Sequence, residues 1–402
     1  MTSSQGRWEI SVAQDGSGRF RTVQEAIDAV PLSNNRRVVI RIGPGVYSQP
    51  IYVPKTKNLI TLTGTDPNRT TLSWHNTATS IQHHQACLSL FSLPSHAPSV
   101  IGTGTFACGS VIVEGEDFIA ENLAFENAAP QACTVNDFRS RCQISPLSLF
   151  QPIVLCPRSE IYAAIDGSGQ AVAIRVTADR CSFYSCRFLG WQDTAYLHYG
   201  KQYFRDCYIE GSVDFIFGNA TVLLEHCHIH CKSQGFITAQ QRKSADESTG
   251  YVFLRCVITG NGDSKSYMHL GRPWGPHARV VFAYTHMDSC ILPSGWNNWN
   301  NTANEKTASY SEYRSTTLLD TCPRPAFHFA QLPCTSISVV EVYCSSVTER
   351  LKLGVQEAEL ETWCRLTAFH AMSIQVTLSS NVQPLARSKK RQRPETFVPN
   401  ED

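Results

Sequence analysis

Apolar positions first recur with helical spacing between Thr22 and Val30, where Val23, Ala26, Ile27 and Val30 share one face of a short helix that Pro31 stops. An Asp-Gly-Ser-Gly run at 15–18 reads as the turn before it. Beyond this helix the period changes to short β-type runs: VVIRI at 38–42, LITLTG at 59–64, SVIVEG at 110–115 and FIAENLAF at 118–125. A repeat then emerges in CSFYSCRFLG (181–190), QYFRDCYIEG (202–211), VLLEHCHIHC (222–231) and YVFLRCVITG (251–260). Its cysteines stand at 186, 207, 227 and 256, and Cys290 reads as a fifth rung after a longer loop. A unit this short cannot bury its own apolar face and must stack on its neighbours. Stacking in parallel sets equivalent side chains above one another, and Cys suits such a ladder as a small apolar residue. The pattern predicts an all-β chain, a right-handed parallel β-helix with a short N-terminal capping helix. A disulfide between adjacent rungs, such as Cys186 with Cys207, stays open.

Two segments break the plan. Residues 132–166 carry no rung, and from about Arg314 the rungs cease. The expected organisation is a β-helix domain over 1–313, interrupted at 132–166, followed by an atypical segment over 314–402. That segment is irregular or partly helical, with a helix expected over 347–366, or disordered. Both interruptions read as products of a retained intron, an altered splice or a shifted frame. The closing RSKKRQRPE is read as a solvated charge run in preference to a nuclear address.

Composition adds mainly exclusions. The chain has 402 residues, 42% hydrophobic and 17% charged, with a formal net charge of +1. That balance gives no electrostatic case for nucleic acid or an anionic membrane, so a polyanion would have to meet a local cluster of cations. Sixteen cysteines form no short-spaced zinc pattern; Cys227 and Cys231 have no second pair behind them. No secretory signal peptide and no membrane span are visible, which leaves the compartment open.

The densest polar constellation lies in and between the rungs: Gln170 in GQAVAIRV, Gln192 and Asp193 in GWQDTAYL, Asp214 in GSVDFIFGNA, and Arg272 with Trp274 in LGRPWG. Asp193 and Asp214 are 21 residues apart, the same interval as Cys186 and Cys207, and Gln170 precedes Gln192 by 22. The spacing predicts two carboxylates one above the other on adjacent coils, with two amides beside them. Stacked carboxylates repel, so one stays protonated and can act as an acid while the other, ionised, can attack. The amides can donate to an oxyanion, and Arg272 can hold one carboxylate through a bidentate pair. Trp274 offers a flat apolar face to a sugar ring or a methyl ester. Each residue alone reads as an ordinary turn or ladder position; the set at rung spacing does not.

GQAVAIRV, WQDTAYLH, VDFIFGNA, GFITAQQR and LGRPWG, in this order, resemble the pectinesterase family, plant type, over roughly residues 9–131 and 167–313. The resemblance implies a pectin methyl ester hydrolase, with Asp214 as nucleophile, Asp193 as general acid and base, and Gln170 and Gln192 as oxyanion donors. It also implies that Arg272 and Trp274 orient the nucleophile and bind substrate, with Phe215 in the aromatic floor of the cleft. No metal or organic cofactor is needed. Implied partners are methyl-esterified polygalacturonate and a proteinaceous inhibitor, with no nucleic acid or membrane, for a monomer working in the cell wall. Rival readings are a β-helix lyase or glycoside hydrolase, which would want calcium-binding acidic clusters or carboxylates flanking a glycosidic bond. An inactive polyuronide-binding protein is the rival from another class.

Overall fold

The computed structural model describes residues 8–80, 104–131, 169–262 and 266–317. All the strand pairs among the described residues are parallel, and successive strands of one coil belong to different ladders. One sheet has ten strands, from Trp8–Val12 through Lys201–Arg205 to Ser309–Tyr313. A second ladder runs from Gly45–Ser48 to Thr316–Thr317. A third, which carries the candidate site, steps through Ile51–Val53, Val111–Val113, Ile174–Thr177 and Ala195–Tyr199. It continues into the far ends of Tyr208–Gly218 and His228–Gln240, and then Met268–Pro273. This is a parallel β-helix, as the repeat predicted.

The helix Val23–Asp28 closes the first coil, with Val23, Ala26 and Ile27 buried. Thr22 accepts from the Glu25 amide while the Glu25 carboxylate accepts from the Thr22 amide, a reciprocal cap. Inside the coils, rings stack from rung to rung: Phe183 lies on Phe204 at 4.6 Å and Phe253 on Phe282 at 4.3 Å.

The 118–125 run, expected as one strand, is two: Ile119–Glu121 and Ala124–Asn127, in different ladders. Asn122 turns the chain between them at φ 55°. The same left-handed residue precedes every ladder cysteine, at Ser185, Asp206, His226 and Arg255. Each repeat is therefore strand, one-residue corner, cysteine, strand. The thiols of Cys186, Cys207, Cys227 and Cys256 are free, buried, and donate to carbonyls of the corner or of the preceding coil. Cys290 is not the fifth rung. Thr285 follows the next corner, Tyr284, and its hydroxyl makes the same kind of bond to Phe253 O and Ala283 O. Cys290 lies beside Cys231, where the longer loop returns to the helix.

The interruption at 132–166 lies outside the described residues, but the strands around it keep their places. Ala124–Asn127 and Arg187–Leu189 pair in register, as do Val111–Val113 and Ile174–Thr177. The coil pattern also runs slightly past 313, since Thr316–Thr317 pairs with His286–Met287. The helix expected over 347–366 and the basic tail lie outside the described residues.

Candidate active site

The ladder geometry brings Gln170, Gln192, Asp193, Asp214 and Arg272 together along the third ladder. Gln170 and Gln192 form a parallel bridge, with the Ala171 amide donating to Gln192 O at 3.1 Å. The Asp193 amide donates to Val213 O at 3.0 Å, which ties the coil of Asp193 to that of Asp214. Both aspartates hold left-handed backbone, φ 64° at Asp193 and φ 51° at Asp214. Asp tolerates that region better than most residues, because its short side chain finds local partners there.

Arg272, on the strand Met268–Pro273, pairs across the sheet with Ala239. Its fork grips Asp214, with Nε to Oδ1 at 2.9 Å and Nη2 to Oδ2 at 2.6 Å. The pair spans the intervening coil, where the small Ala239 stands in register with Arg272 and with Phe217. The guanidinium is sandwiched between the rings of Phe236, 4.1 Å from its centroid, and Trp299, at 3.8 Å.

These surroundings separate two chemically identical groups. Burial, joined by the negative charge of Asp214, holds the Asp193 carboxyl well above the usual carboxylate range, against the opposing charge of Arg272. Burial also raises Asp214, but there the Arg272 hydrogen bonds and charge pull the other way. The proton of the pair therefore resides on Asp193, and the ionised form resides on Asp214.

Phe215 does not belong to this surface. It is fully buried and packs into the interior of the coils. The left-handed turn at Asp214 breaks the in-out alternation, so Phe215 points inward. There it covers Gly211, whose absent Cβ would lie 2.3 Å from the Phe215 Cβ. The aromatic surface is made instead by Tyr196 and Phe217, stacked at 4.3 Å, with Trp274 tilted beside them at 6.5 Å and 6.0 Å. Trp274 is 40% exposed. Tyr196 and Phe217 also stand 21 residues apart, so the interval that links the aspartates would have found them. Phe236 and Trp299 had no such signal, since they enter through their packing on Arg272.

The arrangement holds an ionised carboxylate in a fixed orientation beside a protonated one, with two partly exposed amides, one on the coil of Asp193 and one on the coil before it, and an aromatic shelf alongside. Such a set can attack an ester carbonyl, support the oxyanion and protonate the departing alcohol.

The family model described as Pectinesterase matches residues 9–136 and 162–319. Pectinesterase 31 of Arabidopsis thaliana is 62% identical over 305 residues, spanning 76% of this chain and 81% of the relative. A pectin methylesterase from carrot superposes with a TM-score of 0.65 at 29% identity, over 83% of this chain and 90% of that one. Pectin methylesterase PemA from Erwinia chrysanthemi has the same fold, with a TM-score of 0.62 at 24% identity over 82% of this chain and 94% of its own.

Proposed function

The chain belongs to the pectinesterase family, and from that membership we propose that it hydrolyses the methyl esters of polygalacturonate, releasing methanol and demethylated pectin. Asp214, ionised and oriented by Arg272, attacks the ester carbonyl and forms an acyl-enzyme. Gln170 and Gln192 donate to the tetrahedral oxyanion, and Asp193 gives its proton to the departing methanol. Asp193, now a base, activates the water that cleaves the acyl-enzyme and recovers the proton. The sugar ring rests on Trp274 and on the Tyr196–Phe217 shelf.

The observation that carries this reading is the fork of Arg272 on Asp214, with Asp193 one coil away and protonated. A lyase would want a calcium-binding acidic cluster, and a glycosidase could use such a carboxylate pair; the two amides beside it, suited to an acyl oxyanion, and the family membership favour the esterase. Methanol release from methylated pectin tests it. Wild-type protein releases methanol and Asp214→Ala does not; chain cleavage without methanol overturns the reading. We place this activity on cell-wall pectin and expect a monomer, which fractionation of tissue and sedimentation of the purified chain would check. A proteinaceous inhibitor is the further partner proposed for the cleft.

A further inference from the structure

One charged residue on the row of Tyr196, Phe217 and Arg272 in the third ladder has no place in the reaction just described. Arg175 pairs across the sheet with Ile112 on one side and Tyr196 on the other, 21 residues before Tyr196. It is fully buried. Nη2 meets Glu114 Oε1 at 2.9 Å and Nη1 donates to Thr177 Oγ1 at 3.1 Å. Glu114 is held in turn by the Tyr52 hydroxyl at 2.7 Å. Nε has no hydrogen-bond partner among the described residues, and burial lowers the guanidinium's pKa.

Stability does not account for this arrangement. A buried ion pair is often no better than well-packed apolar residues, and a guanidinium with an orphaned N–H is a poor core filler. What the charge does reach is a ring. The Arg175 guanidinium lies 3.7 Å from the centroid of Phe106, which ends the short turn Gly104–Phe106 outside the ladder. Phe106 stands edge-on to Tyr196 at 6.1 Å and to His198 at 5.1 Å. Its place against the shelf therefore depends on what lies under its face.

We propose that Arg175 is a positioning residue for the cleft: anchored by Glu114, it seats Phe106 against Tyr196 and so fixes the aromatic wall against which the sugar ring lies. This rests on the function proposed above. Among the described residues Arg175 makes no contact with the aspartates, so its loss changes how substrate is held and leaves the Asp193–Asp214–Arg272 charge balance as it was.

The test is steady-state methanol release with Arg175→Met, Phe106→Leu and the double variant. Each single variant raises KM about tenfold, the scale of one desolvated cation–π contact. The double variant is no worse than either, and kcat and its acid limb stay at wild-type values. Arg175→Lys, which keeps a cation under the ring, recovers part of the KM. An unchanged KM in Arg175→Met overturns the proposal, as do effects that multiply in the double variant or a loss confined to kcat. Should Arg175→Met not fold, Glu114→Gln and Arg175→Lys replace it, and wild-type KM in both refutes the seat. A wild-type protein that releases no methanol counts against the proposed reaction only. The same variants are then compared by calorimetric binding of a methylated oligogalacturonide, where an equal Kd overturns the seat.

Discussion

Replacing Arg272 by Met keeps much of the apolar stem between Phe236 and Trp299 and removes the fork. Asp214 then loses two charge-assisted hydrogen bonds, each worth about 1.5–3 kcal/mol in a buried setting, along with the one cation that opposes its burial. Its folded pKa rises further. Because attack needs ionised Asp214, the acid limb of the methanol-release profile moves to higher pH. On its acid side the variant loses about 10- to 1000-fold in rate, the range an adjacent opposite charge spans. Part of that loss returns as pH rises. It is not all recovered, because the unpaired carboxylate also loses its orientation. Arg272→Lys keeps the charge but not the planar fork, so its acid limb shifts less while its plateau still falls. The measurement is kcat and kcat/KM for methanol release across the acidic and neutral range. An acid limb that stays in place in Arg272→Met while the rate falls uniformly would show that Arg272 acts on the substrate alone and that Asp214 needs no help to ionise.

Asp193→Asn abolishes methanol release yet stabilises the fold at neutral pH, by about 0.5–2 kcal/mol in urea unfolding, the usual gain from relieving a strained functional site. The sign follows from the raised folded pKa of Asp193: the wild-type fold binds a proton that the unfolded chain has lost, so its stability falls as pH rises through that window. The gain therefore disappears at pH below the ordinary carboxyl value, and a pH-independent gain refutes the assignment. In the cysteine ladder, Cys207→Ser costs about 1 kcal/mol, since Thr285 already places a hydroxyl at the equivalent corner. Cys207→Leu overpacks the coil and costs about 1–3 kcal/mol, and equal melting temperatures for the two would contradict the ladder packing. Gly218→Ala meets a backbone wall, because the new Cβ would lie 2.2 Å from Leu197 O at φ 120°. It loses at least about 1–3 kcal/mol, and a wild-type melting temperature would show that the corner is softer than this geometry allows.

The interval of 21 residues was the most informative feature of the sequence, because in parallel stacking a constant interval becomes a position in space. It places Asp214 on the coil after Asp193, and Tyr196 between Arg175 and Phe217. The interval of 22 from Gln170 to Gln192 looked like an imperfect coil. The extra residue is taken up between Gln170 and Ile174, whose partners Gln192 and Ala195 are one residue closer together. Phe215 escaped the same logic, since the positive φ at Asp214 shifts the alternation and no composition rule announces a one-residue corner. Cys290 misled for a related reason: a cysteine after a long loop looks like the next rung, whereas the corner motif, not the thiol, defines the rung and continues through Thr285. The second ring on Arg272, Trp299, comes from a loop beyond the repeat, where periodicity has no reach.

The division of labour proposed for the aspartates follows from order along the helix axis. Each occupies the same kind of left-handed corner, one coil apart, and each is buried. Seen from Asp193, the nearest strong charge is the carboxylate of Asp214; seen from Asp214, it is the Arg272 guanidinium. A cation beyond Asp214 therefore polarises the whole stack. It favours the anion at the coil nearer to it and leaves the proton at the farther one. Arg272 reaches Asp214 from two coils away, across the coil of Ala239, the small residue in register with it. The proposed acid, the proposed nucleophile and the cation are thus one device, set by a register that a single inserted residue would destroy.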